Sequence, residues 1–238
     1  MNHEMYEKGA HGSSAVMEAI TAKKHWEASD FTKILCSLAT LPGAPKIPGA
    51  NRPDSIDLHS WVRPINQLWD LTAQTGREHG RVVFADAGSS GLVMGKTISG
   101  TETGIALVPE KQRGREHLQR MVATIHTHPN GERGIGKVFS GMDFLSFMSN
   151  ADEQAMCAVY DSHTALLVLK TSATPTLSPQ SLQRRIHETV TDFHGPGAMH
   201  QQVKGAIDFN KMICTELGLT LYRMTPENGR FMRIEVTR

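Results

Sequence analysis

Apolar positions recur along this chain with two different periods, and the switches between them mark out its elements. Three- to four-residue spacing predicts helices over Ser13–Ser29, through Val16, Ile20 and Trp26, and over a short stretch capped by Asp30 that carries Phe31, Ile34, Leu35 and Leu38. The same spacing predicts a core helix over Ser55–Gly76, with Leu58, Trp61, Ile65, Leu68 and Trp69 on one stripe. Pro64 should fall in its first turn or kink it, and Gly76 suits its stop. Arg77–Phe84 then reads as a helix exit leading into a strand, and further strands are expected at Gly91–Met94 and Gly104–Val108. Glu110–Arg120 is charged and reads as a surface helix or loop. The run Met121–Ile125 is short, apolar and partly β-branched, which suits a buried strand.

Beyond a glycine-punctuated loop from Asn130 to Phe139, Ser140 reads as the N-cap of a helix carrying Phe144, Leu145, Phe147 and Met148. Met156–Tyr160 and Ala165–Lys170 predict two strands about a turn at Asp161-Ser162-His163. Two more helices follow, one from Ser178 through Leu182, Ile186, Val190 and Phe193, and one carrying Val203, Ile207, Ile213, Cys214 and Leu217 up to Gly218. Gly195-Pro196-Gly197 separates them. Leu219–Met224 and Phe231–Val236 predict a hairpin about Pro226-Glu227-Asn228-Gly229. Helices interspersed with strands predict an α/β fold, and strands beyond the Ser140 helix give it the sheet that a three-layer domain needs. Leu41–Pro53, rich in Pro and Gly, reads as a linker, dividing an N-terminal helical extension at 1–50 from a main domain at 51–238.

Composition narrows the partners. A hydrophobic content of 39% in 238 residues supports a proper core, while a net charge of +1 gives no sign of a nucleic-acid partner. No run reaches the ~18 apolar residues of a membrane span, and the polar start, which looks disordered to Gly12, lacks a signal-peptide core. Cys36, Cys157 and Cys214 are widely spread and odd in number, which fits a reducing, cytoplasmic setting.

Chemistry concentrates in Ile125-His126-Thr127-His128-Pro129 and Ser140-Gly141-Met142-Asp143. On a strand His126 and His128 share a face while Thr127 takes the other, and Pro129 ends the ladder. Asp143, in the first turn of the next helix, can supply a third ligand beside Ser140. Two imidazoles and a carboxylate suit Zn²⁺ and leave a fourth position for water, as catalytic sites do. Singly, each fragment has a structural reading: paired histidines arise by chance in a chain with 12 His, and Ser-x-x-Asp is a capping box.

His-x-His-Pro, a loop and Ser-x-x-Asp together resemble the signature of the JAMM (JAB/MPN) zinc metallo-isopeptidases, over about residues 60 to 170. The loop between His128 and Ser140 is several residues longer than the common form, which bears on the substrate groove more than on the metal site. The resemblance implies a JAMM/MPN (cytidine-deaminase-like) domain with a mixed sheet flanked by helices, and Zn²⁺ on His126, His128 and Asp143. It implies Ser140 as a stabiliser of the tetrahedral intermediate and an upstream glutamate as general acid/base. Glu78, at the opening of a strand, stands at the family's position; Glu102 is the rival but lies too near the metal motif. Implied substrates are a ubiquitin-like protein on its lysine conjugates or its C-terminal precursor. The partners would include conjugating enzymes of the same operon, as in bacterial antiphage conjugation systems. Two alternatives stay open: a non-catalytic scaffold of the same fold, and a peptidase with a substrate unrelated to ubiquitin.

Overall fold

The computed structural model describes residues 17–40, 46–47, 52–86, 91–107, 119–129, 139–161, 164–194, 206–224 and 229–235. Its strands are β1 His25–Trp26, β2 Ser55–Asp57, β3 His79–Asp86, β4 Gly91–Met94, β5 Ile98–Ser99, β6 Gln119–Thr127, β7 Ala155–Val159, β8 Ala165–Lys170, β9 Leu219–Met224 and β10 Arg230–Arg233. After a helical stretch at 17–21, the helices are α1 Ala28–Thr40, α2 His59–Thr75, α3 Gly141–Ser149, α4 Pro179–His194 and α5 Ala206–Glu216. All strands join one mixed sheet in the order β1-β2-β10-β9-β8-β7-β6-β3-β4, with β5 also on β3. Among these strands the β6–β7 and β1–β2 pairs are parallel and the others antiparallel.

Alternation along the central strands sorts side chains into two cores. Ala155, Cys157, Val159, Leu167 and Leu169 pack with Phe31, Ile34 and Leu35 of α1 and Trp61, Ile65 and Leu68 of α2. Met156, Ala158, Leu166 and Val168 pack with Phe144 and Phe147 of α3, Leu182 and Ile186 of α4, and Phe209 and Ile213 of α5. The result is three layers, helices on each face of the sheet, which is the arrangement that the interspersed helix and strand periods require. α3 lies between β6 and β7 in the chain, so the loop-and-helix crossover that makes those strands parallel delivers α3 beside the end of β6.

Several boundaries differ from the sequence reading. The first helix stops at residue 21 and Trp26 enters β1: its indole Nε1 donates to Ile20 O, and the Lys24 carbonyl accepts from the Asp54 and Ser55 amides. Asp30 is not the cap of α1 but lies within its first turn, where its carboxylate accepts from Glu27 N and pairs with Lys23. Ser55–Asp57 is a strand between β1 and β10, and the helix begins only at His59, whose N–H donates to Asp57 Oδ1. Pro64 still falls inside α2, past its first turn. The expected strand at 104–108 is absent over its described part: Thr101 N donates to Gly104 O in a turn, and the short β5 pairs with β3 instead. The expected disordered start, the linker apart from its described residues, Glu110–Leu118, the loop from Asn130 to Val138, the 195–197 break and the centre of the last hairpin turn lie outside the described residues.

Candidate metal centre

β6 has an irregularity before it reaches the site. Its register with β3 shifts between Val83 and Phe84, so that Val122 and Ala123 both join the α1/α2 core. From Thr124 onward strict alternation resumes, placing Thr124, His126 and His128 on the α3 face and Ile125 and Thr127 on the other. Across the ladder Gly80 pairs with His126, so two residues further along each strand Glu78 comes opposite His128. Gly80 has no room for a side chain: a Cβ would sit 2.8 Å from Ile125 O and 3.2 Å from His126 Cβ.

Asp143 arrives from α3. Ser140 caps that helix in a reciprocal box: its Oγ accepts from Asp143 N at 3.2 Å, and its N–H donates to Asp143 Oδ2 at 2.7 Å. The Ser140 hydroxyl proton goes to the same Oδ2, at 2.8 Å. Capping therefore also aims the carboxylate. From α5, on the same face of the sheet, the Asn210 amide brackets Phe139: Phe139 N donates to Asn210 Oδ1 and Asn210 Nδ2 donates to Phe139 O, both at 3.3 Å. Phe139 packs on His126 and Phe144, which seats the start of α3 against the ligand strand.

Three ligand atoms converge. His126 Nε2 is 3.0 Å from His128 Nε2 and 3.4 Å from Asp143 Oδ1, while His128 Nε2 is 3.6 Å from Asp143 Oδ2. A tetrahedral ion with bonds of about 2.0–2.1 Å has ligand–ligand edges of about 3.3–3.4 Å, close to these values. Two neutral imidazoles whose Nε2 lone pairs face each other repel unless a cation or a proton lies between them. His126, His128 and Asp143 thus form a group that can hold a metal ion.

The electrostatics agree with that chemistry. Burial pushes the His128 imidazole down to about 4, with His126 adding to the effect, so this ring is neutral and ligand-ready at neutral pH. Burial also lowers His126, but Asp143, followed by Glu78 and Glu153, outweighs it and leaves its affinity for a proton raised. Burial opposes ionisation of Asp143, yet His126, His128 and the Ser140 amide hold its carboxyl well below the usual range.

Glu78 is 5% exposed and its Oε1 lies 3.7 Å from His128 Nδ1, long for a hydrogen bond but adjacent to the ligand set. Desolvation pushes its carboxyl up to about 7, so it exchanges a proton near neutrality. The rival Glu102 is exposed on the turn that follows β5. His79 faces away from Glu78, held by Thr75 Oγ1 and Ser99 Oγ.

Sequence reasoning missed the supports. Glu153, 3% exposed, accepts from Thr124 Oγ1 two residues before His126, and burial raises its carboxyl. Lys170 donates to Phe147 O and Asn150 O at the end of α3, and burial lowers its ammonium. A Glu and a Lys at the edges of apolar strands carry no local mark of a buried pair. Asn210 offered one signal, a polar residue on the apolar stripe of its helix. No helix among the described residues is long and apolar enough to cross a membrane. No family model matches the chain, and no curated protein or solved structure matches it either.

Proposed function

We propose that this protein is a zinc-dependent peptidase of the JAMM type, cutting the bond between the C-terminus of a ubiquitin-like protein and a lysine amine or a short C-terminal extension. The observation that supports this best is the pairing of a metal-competent His126–His128–Asp143 set with a buried carboxyl, Glu78, tuned to about 7 on the same face. Two nitrogens and a carboxylate oxygen leave one tetrahedral position for substrate or water, and the donor set suits Zn²⁺. Bound there, Zn²⁺ would supply Lewis acidity toward the scissile carbonyl and would acidify a water.

The chain's own residues do the rest. Glu78 Oε1 takes the water's proton and returns it to the departing amine, a two-way role that a carboxyl near 7 fills without a large cost in either direction. Ser140 is exposed beside the ligands, and its hydroxyl rotor can turn from Asp143 Oδ2 toward the developing oxyanion. Its backbone N–H keeps Asp143 aimed while the hydroxyl moves. Met142, 70% exposed between the cap and the ligand, offers an apolar contact for the substrate. Hydrolysis of ubiquitin-like fusions tests the reading. Zinc-dependent cleavage by the wild type, lost on chelation and restored by Zn²⁺, supports it, whereas zinc-loaded protein that cuts neither isopeptide nor linear fusions favours a binding scaffold.

A further inference from the structure

Thr127 stands between the two histidine ligands, but its side chain enters the opposite face of the sheet and is 0% exposed. The β3–β6 ladder runs only as far as the Gly80–His126 pair. One residue beyond that point, Thr127 Oγ1 takes over both backbone groups of His79, accepting from its N–H at 2.9 Å and donating to its carbonyl at 3.1 Å. That donation uses the only proton on Thr127, so the hydrogen bond between the Thr72 and Thr127 hydroxyls must be donated by Thr72 of α2. Glu78 is clamped on its other side, where its N–H donates to Thr101 O at 2.7 Å and its carbonyl accepts from Gly100 N at 2.8 Å. The backbone that carries Glu78 is therefore fixed from both directions.

We propose that Thr127 is a positioning residue for Glu78: its hydroxyl, propped by Thr72, is the strut that sets where the carboxyl stands relative to His128. This rests on the reading of Glu78 as the proton carrier. Removing the strut leaves the metal ligands in place, because they project from the other face, and lets the start of β3 drift. Displacements of about an ångström at a reacting group are costly in rate.

Thr127→Val and Thr127→Ser, each alone and combined with Glu78→Gln, test the proposal on zinc-loaded protein with a ubiquitin-like fusion. Thr127→Val should keep its zinc and, within about twofold, its KM, while kcat falls about tenfold or more; Thr127→Ser should stay within about twofold of wild type. In the Glu78→Gln background Thr127→Val should cost nothing further, since it acts through that carboxyl. Independently of activity, the His79 amide should exchange faster in Thr127→Val and regain protection in Thr127→Ser. If Thr127→Val does not fold, Thr72→Val, which removes only the prop, carries the same comparison with a loss of about threefold. Additive losses in the double variant, unchanged His79 exchange, or loss of zinc in Thr127→Val would overturn the strut while leaving the acid/base reading standing. Full turnover by Glu78→Gln, or none by the wild type, overturns that reading and the strut with it.

Discussion

One turn of strand separates two environments that could hardly differ more. On the α2 face at the end of β6, Thr127 meets Thr72 and the His79 backbone, while His79 itself is bonded to Thr75 and Ser99. Those donors and acceptors are neutral and mutually paired. On the α3 face, two imidazoles point their Nε2 atoms at each other 3.0 Å apart, with Asp143 and Glu78 beside them. A buried polar cluster whose partners are all supplied by the chain is a joint, whereas one whose ligand atoms converge on a common point can hold an ion.

The largest effect should come from removing a ligand. His128→Ala should lose most bound zinc and nearly all turnover, and zinc should fail to raise its melting temperature as it should for the wild type. Equal zinc content in both proteins would contradict the site.

Gly80→Ala should come next. The added Cβ meets the Ile125 carbonyl, which cannot step aside, so β3 must separate from β6 at the very pair that carries His126. About 1–3 kcal/mol of stability should be lost together with metal affinity. A variant that melts and binds zinc like the wild type would show that the close approach has no part in the site.

How far the sequence disclosed these two environments depends on the range of the contacts involved. The shared face of His126 and His128 follows from strand alternation, and the Ser140-x-x-Asp143 box is written in four consecutive residues. Glu78 came from the order of motifs in a resembling family; its physical reason, the cross-strand register to His128, is invisible in local patterning. The bulge at Val122 was equally hidden, and alternation held for the histidines only because the bulge lies upstream of them. β2 lies inside the stretch that reads as helix because Leu58 fits the stripe of α2 and three residues are too few to show a strand period, while one of its partners, β10, lies at the far end of the chain. Asn210 reaches Phe139 across a separation of 71 residues, which no window can report.

Ser140 sharpens the comparison, since it caps α3 and, on the proposed reading, also donates to the oxyanion. Ser140→Ala should cost about 0.5–2 kcal/mol for the lost cap and also slow turnover, because the Asp143 carboxylate loses one of its two Ser140 donors and the oxyanion loses a donor. Ser140→Asp keeps a capping oxygen but should be nearly inactive, its carboxylate repelling the oxyanion. Wild-type turnover in Ser140→Ala would leave only the capping role.

The gentlest test is pH. His126 holds its proton more tightly than an ordinary imidazole because Asp143, Glu78 and Glu153 outweigh its burial. The proton and the metal compete for Nε2, so zinc affinity should be full above that raised pKa and fall as pH drops through it. The slope should be about tenfold per pH unit for each proton displaced. Affinity that stays flat between about pH 8 and pH 6 would be inconsistent with His126 as a ligand.

Glu78→Gln tests the central claim most directly, because it keeps size and hydrogen bonding but cannot carry a proton. Steady-state cleavage of one ubiquitin-like fusion should fall by about 10²-fold or more while zinc content and melting temperature stay close to those of the wild type. Undiminished turnover by zinc-loaded Glu78→Gln would contradict the account.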